Sequence, residues 1–220
     1  MSSPGRKKYI LFTLMLFGPG ILLFVLSRGK QNFNYLEVLG ETPNYQLYDL
    51  DSNLISPETN EKDVLIFTTI QNSCYDNSDK SCNIYPYFIE QFFYDEFKSS
   101  PKKYSRVKIY SIVTDAEGNP VYPDSILIEA FKKYDPNLWT LALGDPKGVY
   151  GFEKKGMNFT EIRNEEDGKL EFPRMGMVVS ESRKIRAIRP LNSEAFVREL
   201  SERFRMVLKE KDIKEYNENR

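Results

Sequence analysis

The chain has 220 residues, 31 Lys and Arg against 32 Asp and Glu, two Cys and no His. That length suits one domain with an appendage; 40% hydrophobic and 14% aromatic content suits a packed core, and the near-neutral charge gives no electrostatic reason to expect nucleic acid. Without histidine there is no Ser-His-Asp or Cys-His catalysis and no imidazole metal ligand, so any chemistry falls to Cys, Met, carboxylates, Lys, Tyr or the backbone.

The N-terminus departs from the average. Residues 1–30 carry Arg6, Lys7, Lys8, Arg28 and Lys30 with no acid, which leaves the remaining chain at a net charge of −6. Between these cations, Tyr9 to Leu26 is an 18-residue run with no charge, at the lower end of what spans a bilayer as a helix. Gly18, Pro19 and Gly20 interrupt it, which a lipid-phase helix tolerates. No small-residue cleavage site follows, so residues 1–30 are expected to form a cytoplasmic tip and an uncleaved transmembrane anchor that contacts membrane lipid through residues 9–26. Three cations before the run and two after it place the N-terminus in the cytoplasm and residues 31–220 on the extracytoplasmic, periplasmic side.

Residues 31–42 read as a polar tether. Tyr45-Gln46-Leu47-Tyr48-Asp49 alternates and returns through Leu54-Ile55 as a hairpin. Val64-Leu65-Ile66-Phe67 is a continuous apolar run, the pattern of a strand buried on both faces. Cys74 and Cys82 lie in the polar stretch that follows. A helix is expected from Ile84 to Phe97, with Pro86 in its first turn and Tyr87, Phe88, Gln91, Phe92 and Glu96 at helical spacings. Val107 to Val113 is the second strong strand. Asp124 caps a helix over 125–134 that offers Ile126, Ile128, Ala130 and Phe131 for burial. Leu138 to Leu143 is a third apolar run, and Pro146 opens a short helix through Tyr150, Phe152 and Lys155.

Met175 to Val179 and Ile185 to Ile188 flank a polar turn as an antiparallel hairpin. The last helix starts near Ser193 and buries Phe196, Val197, Leu200, Phe204 and Val207. After Lys209 the chain becomes charged and is expected to fray, so residues 209–220 read as a tail. Arg183, Lys184, Arg186 and Arg189 form a basic patch beside the hairpin, either solvated or open to a partner or lipid headgroup.

Strands alternating with helices imply right-handed crossovers and parallel pairs, and the closing hairpin adds antiparallel edges. The fold class is therefore α/β: a thioredoxin-like mixed sheet flanked by helices, spanning residues 43–208. The Cys pair falls after the first strong strand and before a helix, where such folds carry their redox site.

Several strings in this order resemble the Sco (SenC-like) family of membrane-anchored thioredoxin-fold proteins. Tyr45 to Ser52 is similar to the family's leading F-x-L-x-D-x-D-G hairpin, and Val64 to Thr69 to the strand that delivers its cysteine motif. Trp139 to Gly151, WTLALGDPKGVYG, resembles its strand, GD turn and helix; Val178 to Ile188 resembles its closing hairpin. The resemblance implies copper delivery to a respiratory cytochrome oxidase, or thiol–disulfide exchange serving that delivery, with an oxidase subunit or a thiol–disulfide protein as partner. Family members bind copper through C-x-x-x-C and a distal His. Here the pair is Cys74-x7-Cys82 and no His exists. The family's His aligns near Pro173, which also stands where thioredoxins place a cis-proline beside their cysteines.

Three readings of the cysteines stay open. A disulfide outside the cytoplasm can simply staple the loop, by roughly 2–3 kcal/mol in the chain-entropy picture. A reversible redox pair needs one thiol favoured as thiolate, which the following helix N-terminus can supply. A Cu(I) site would use soft ligands, Cys74, Cys82 and Met175, with Met177 two residues on along the same strand face. Both Met residues also suit a core. The activity is at most that of a thiol–disulfide oxidoreductase; otherwise the chain is an assembly factor. The alternative from another class is a non-catalytic thioredoxin-fold binding module whose Cys74–Cys82 disulfide is only structural.

Overall fold

The computed structural model describes residues 35–72, 84–115, 117–154, 157–158 and 175–218. The segment expected to be a free tether joins the sheet. β1 (Gly40–Glu41) pairs antiparallel with Ile185 and Lys184, and Leu39 N and Thr42 N donate to Ile185 O and Arg183 O at 2.9 Å each. Two residues are too few to show alternation, so this strand is set by its neighbour and not by its own pattern.

β2 (Leu47–Tyr48) and β3 (Leu54–Ile55) form the expected hairpin as a separate two-stranded sheet. Its turn is clasped by Asp49, whose carboxylate accepts from Asp51 N, Asn53 N and the Asn53 side chain at 2.8–2.9 Å. β4 (Val64–Gln71) is buried along its whole length. A continuous helical stretch follows the Cys loop as α1 (Ile84–Ile89), a π-helical turn over Glu90–Tyr94, and α2 (Asp95–Ser99). It buries Ile89, Phe93, Tyr94 and Phe97, while Tyr87 is 59% exposed. Ile89, Phe93 and Phe97 follow a four-residue spacing, and the wide π turn also buries Tyr94, five residues after Ile89.

β5 (Val107–Thr114) runs into a second clasp, in which Asp115 accepts from Glu117 N, Asn119 N and the Asn119 side chain at 2.7–3.0 Å. α3 (Ser125–Phe131) is capped as expected: the Asp124 carboxylate accepts from Leu127 N at 2.7 Å. Its buried face is Leu127 and Phe131, four residues apart, so Ile126 is left half exposed. β6 (Trp139–Ala142) is followed by Gly144, whose φ of +141° no other residue adopts easily. A Cβ there would also lie 2.8 Å from the Leu47 side chain and 3.0 Å from Gln46 O. α4 (Lys147–Tyr150) ends at Gly151, before Phe152, because one short turn suffices to bury Val149 and Tyr150. β7 (Glu153–Lys154) and β8 (Met157–Asn158) make a small hairpin that the sequence pattern did not reveal.

β9 (Met175–Ser180) and β10 (Lys184–Pro190) form the closing hairpin, with a bulge at Arg186. α5 (Glu194–Glu218) runs past the point where fraying was expected. Glu210 explains this. It is buried, pairs with Arg186 at 2.5 Å and accepts from Leu36 N at 2.5 Å. Phe196, expected inside, is 39% exposed, because Val197, Leu200, Phe204 and Val207 already fill the stripe that meets the sheet.

The sheet order is β1-β10-β9-β4-β5-β6. β4, β5 and β6 are parallel, and β9 lies antiparallel against β4. One face packs on the helices, with Trp139, Tyr94, Tyr134, Phe93, Phe97 and Phe204 in its core. The other packs under the β2–β3 hairpin and α4, with Tyr45, Phe67, Tyr110, Tyr150, Met175 and Met177. Burying a side chain of Leu or Phe size contributes about 1.5–3 kcal/mol, so the two clusters together hold the sheet from both sides. No helix among the described residues is long and apolar enough to cross a membrane, and residues 9–26 lie outside them.

Candidate functional site

The carboxyl ends of β4 and β5 lie side by side, with Gln71 paired to Thr114. β9 begins at that same edge, since its Gly176 pairs with Thr68 of β4. Ligand sites of α/β sheets gather at such carboxyl ends. β4 leads directly into the Cys loop: Asn72 is the last described residue before it. The Asn72 side chain donates to Tyr122 O at 2.9 Å and accepts from Asp124 N at 3.0 Å. It ties the start of the Cys loop to the capped end of α3, and the sequence reading had assigned it no role.

Cys74, Cys82 and Pro173 lie outside the described residues. Met175 is described, at the first position of β9, 7% exposed. Its carbonyl accepts from the Tyr150 hydroxyl at 2.9 Å. Met177 shares its face, as expected from the two-residue spacing, but is fully enclosed beside Phe67. Of the two, Met177 is core, and only Met175 stands at the edge next to the Cys loop's origin. Gly176 between them faces α5, where a Cβ would lie 2.7 Å from Leu200 and 2.8 Å from Leu191.

Two buried polar arrangements flank this edge. On the helical face, Thr68 Oγ1 and Ser111 Oγ lie 2.7 Å apart, and Trp139 Nε1 donates to Ser111 Oγ at 2.8 Å. On the opposite face, Thr114 is fully buried and its hydroxyl has no partner among the described residues. Strand alternation puts it on the side of Ile112 and Tyr110. Deeper on that face the Tyr110 hydroxyl donates to Asn60 Oδ1 at 2.9 Å, which Lys108 also reaches at 3.1 Å. Burial pushes the Tyr110 and Tyr45 phenols up from their ordinary range, so both stay neutral donors. Among the described residues no cluster of three or more His, Cys, Asp or Glu is placed to hold a metal ion.

The expected basic patch is consumed internally. Arg183 donates to Thr42 O and Asn44 Oδ1, Arg186 pairs with Glu210, and Arg189 pairs with Glu199 at 2.5 Å. The Arg189 guanidinium hydrogen bond, ahead of the nearby Arg203, holds the Glu199 carboxyl at about 2. Only Lys184 of the four is left pointing outward.

The mixed sheet flanked by helices is thioredoxin-like, and its first long strand leads into the cysteine-bearing loop. No family model and no curated protein matches the sequence. Solved structures do match. BsSco, described as carrying a disulfide switch and as a member of the Sco family of cytochrome c oxidase assembly proteins, aligns over 80% of this chain and 98% of its own at TM-score 0.54 and 12% identity. A SCO1/SenC family lipoprotein from Bacillus anthracis str. Ames aligns over 77% and 95%, TM-score 0.51, 13% identity. A putative electron transfer protein from Aquifex aeolicus VF5 aligns over 78% and 94%, TM-score 0.51, 12% identity. The chain has the fold of Sco-family proteins, in line with the resemblance of its sequence strings.

Proposed function

We propose that this chain is a membrane-anchored Sco-type protein, held by residues 9–26 with its folded part on the extracytoplasmic side. In this reading its Cys74 and Cys82 cycle between dithiol and disulfide in the assembly or redox maintenance of a respiratory cytochrome oxidase. One observation carries the reading: β4 ends at Gln71, three residues before Cys74, at the sheet edge where β9 begins with Met175. Oxidation passes two electrons from the two thiols to a partner disulfide, which leaves as a dithiol with both protons. The fold of BsSco, a protein described by its disulfide switch, supports the same reading.

Copper enters as cargo. The sulfur donors Cys74, Cys82 and Met175 suit Cu(I), which prefers soft ligands. With no histidine in the chain, the set is all sulfur.

The test uses the full chain in mild detergent, equilibrated across thiol–disulfide buffers, with free thiols trapped by alkylation and counted by intact mass. A midpoint between roughly −180 and −270 mV supports exchange. A midpoint below about −300 mV overturns it and leaves a binding module with a structural bridge. A Cu(I) competition titration decides the cargo: a site tighter than micromolar that weakens in Met175→Leu supports it, and the lack of such a site removes copper. Protease protection in sealed vesicles checks the side on which residues 31–220 lie.

A further inference from the structure

A groove lies at the amino ends of β4 and β5, the end of the sheet away from the strand that leads into the Cys loop. Val64 and Val107, the first residues of these strands, and Leu208 of α5 give it an apolar floor, and its volume is about 230 Å³. One wall is the turn between α2 and β5, with Lys102, Lys103, Ser105 and Arg106. The other is α5, with Lys211, Asp212 and Glu215.

The cationic turn is held in place. Ser100 O accepts from Lys103 N and Tyr104 N at 3.0 and 3.2 Å, and Tyr104 O accepts from Val107 N at 3.0 Å. Tyr104 is buried, with its ring packed on Phe97 and Phe204 at 4.8 and 6.4 Å between centroids, which fixes the turn against α5. The side chains of Lys102 and Arg106 are left exposed at the groove.

Most of the charges here are engaged. Lys211 pairs with Glu181 at 2.6 Å. Lys103 donates to the Tyr104 hydroxyl at 2.8 Å, and that bond, with the charges of Glu96 and Asp212 adding to it, holds its ammonium above the ordinary range. Glu215 has an interaction of its own. Lys102 and Arg106 have no side-chain partner among the described residues. Two unpaired cations four residues apart on one fixed turn repel each other, and an anion between them relieves that repulsion.

Size and chemistry narrow the anion. The groove is smaller than the roughly 300–1,000 Å³ of pockets that enclose drug-sized ligands, so it suits one small group. A phosphate group matches its donors: the Arg106 fork grips two oxygens, Lys102 adds a point charge and Ser105 a hydroxyl.

We propose that this groove is a phosphate site held by Lys102 and Arg106, and that the phosphate it takes belongs to the headgroup of a membrane phospholipid. The lipid source rests on the anchoring reading above; the site itself does not. The described chain starts beside this groove: Leu36 bonds to Glu210, which lies on α5 between Leu208 and Lys211. Between the end of the anchor at Leu26 and Leu36 stand nine residues, a reach of about 32 Å at most, so an anchored domain stays close to the bilayer surface.

The test uses the full chain in an uncharged detergent at physiological ionic strength, which screens unspecific attraction. Inorganic phosphate is titrated by equilibrium dialysis, and phosphatidylglycerol binding is counted by native mass spectrometry. Wild type binds with one-to-one stoichiometry. In Lys102→Gln/Arg106→Gln the binding weakens about tenfold, while thermal unfolding stays as in wild type. In Lys132→Gln/Lys147→Gln, which removes the same two charges elsewhere, binding stays within twofold. Phosphatidylglycerol binding at least tenfold tighter than inorganic phosphate supports the lipid source; equal or weaker lipid binding overturns that source and leaves a site for free phosphate. Binding of neither probe, or equal weakening in both double variants, overturns the site. If protease protection places residues 31–220 away from the predicted side, the anchoring reading fails by that measurement and not by this one.

Discussion

The two faces of the central sheet handle buried polarity in opposite ways. On the helical face, Thr68, Ser111 and Trp139 close a small network among aromatic rings, with Tyr134 4.2 Å and Phe131 5.1 Å from the Trp139 ring by centroid. On the hairpin face, Thr114 Oγ1 is buried and without a partner among the described residues, four residues along β5 from Tyr110, which packs on Phe67. The first arrangement serves stability alone. The second accepts a loss of stability at the carboxyl end of β5, beside the end of β4. The closed polar set and the open one thus lie on opposite faces of one sheet.

Mutations on the two faces should therefore differ in kind, and denaturant unfolding of the full chain in detergent measures them on one scale. Trp139→Ala empties the centre of the helical face and should lose about 3–5 kcal/mol, with little effect on the redox midpoint. A midpoint shift of about 30 mV or more would break the contrast between the faces. Arg186→Met strands a buried Glu210 and leaves Leu36 O without the guanidinium that donates to it, and should lose about 3 kcal/mol; replacing Glu210 with Leu as well should recover part of it, the Leu36 N–H then being left unpaired. Ser111→Ala leaves the Trp139 N–H without its acceptor and should lose about 1–3 kcal/mol, whereas Thr114→Val should lose none.

Tyr110→Phe on the hairpin face should lose only about 1 kcal/mol, because Lys108 still donates to Asn60 Oδ1. The smallest effect belongs to Glu199→Gln. The Glu199 carboxyl is held at about 2, well below its ordinary 4.5. Its contribution is therefore present above about pH 4.5 and lost as the pH falls towards 2. The pair is partly exposed, so the difference from wild type should stay under about 1 kcal/mol and vanish across that window.

The strands at Val64, Val107 and Trp139 were legible because runs buried on both faces need no partner to be recognised. The β9–β10 hairpin and the start of α5 were legible from their turn and cap residues. Other features were not, for reasons that lie outside any local window. The pairing of Gly40 with Ile185 and of Arg186 with Glu210 depends on neighbours brought together by the whole fold. Ile126 and Phe196 were assigned inside because they sit one residue from the true buried stripe, and hydrophobicity alone does not fix the phase of a helix. In the first helix the buried stripe runs through Ile89, Phe93 and Phe97, one residue on from the Phe88 and Phe92 spacing that the pattern offered. Met175 was expected in a strand and opens β9. The burial of Thr114 was not legible, since a polar residue after an apolar run reads only as the end of a strand.

The two Asp clasps bear on how the chain finds this arrangement. Asp49 and Asp115 each accept the same three hydrogen bonds, one from the backbone two residues on and two from the Asn four residues on. The contact of Thr68 with Ser111 spans 43 residues. Short closures lose little entropy and form fast, while long parallel pairings are slow. The chain therefore begins its long-range search with two reversals of direction already made, one ahead of β3 and one at the exit of β5.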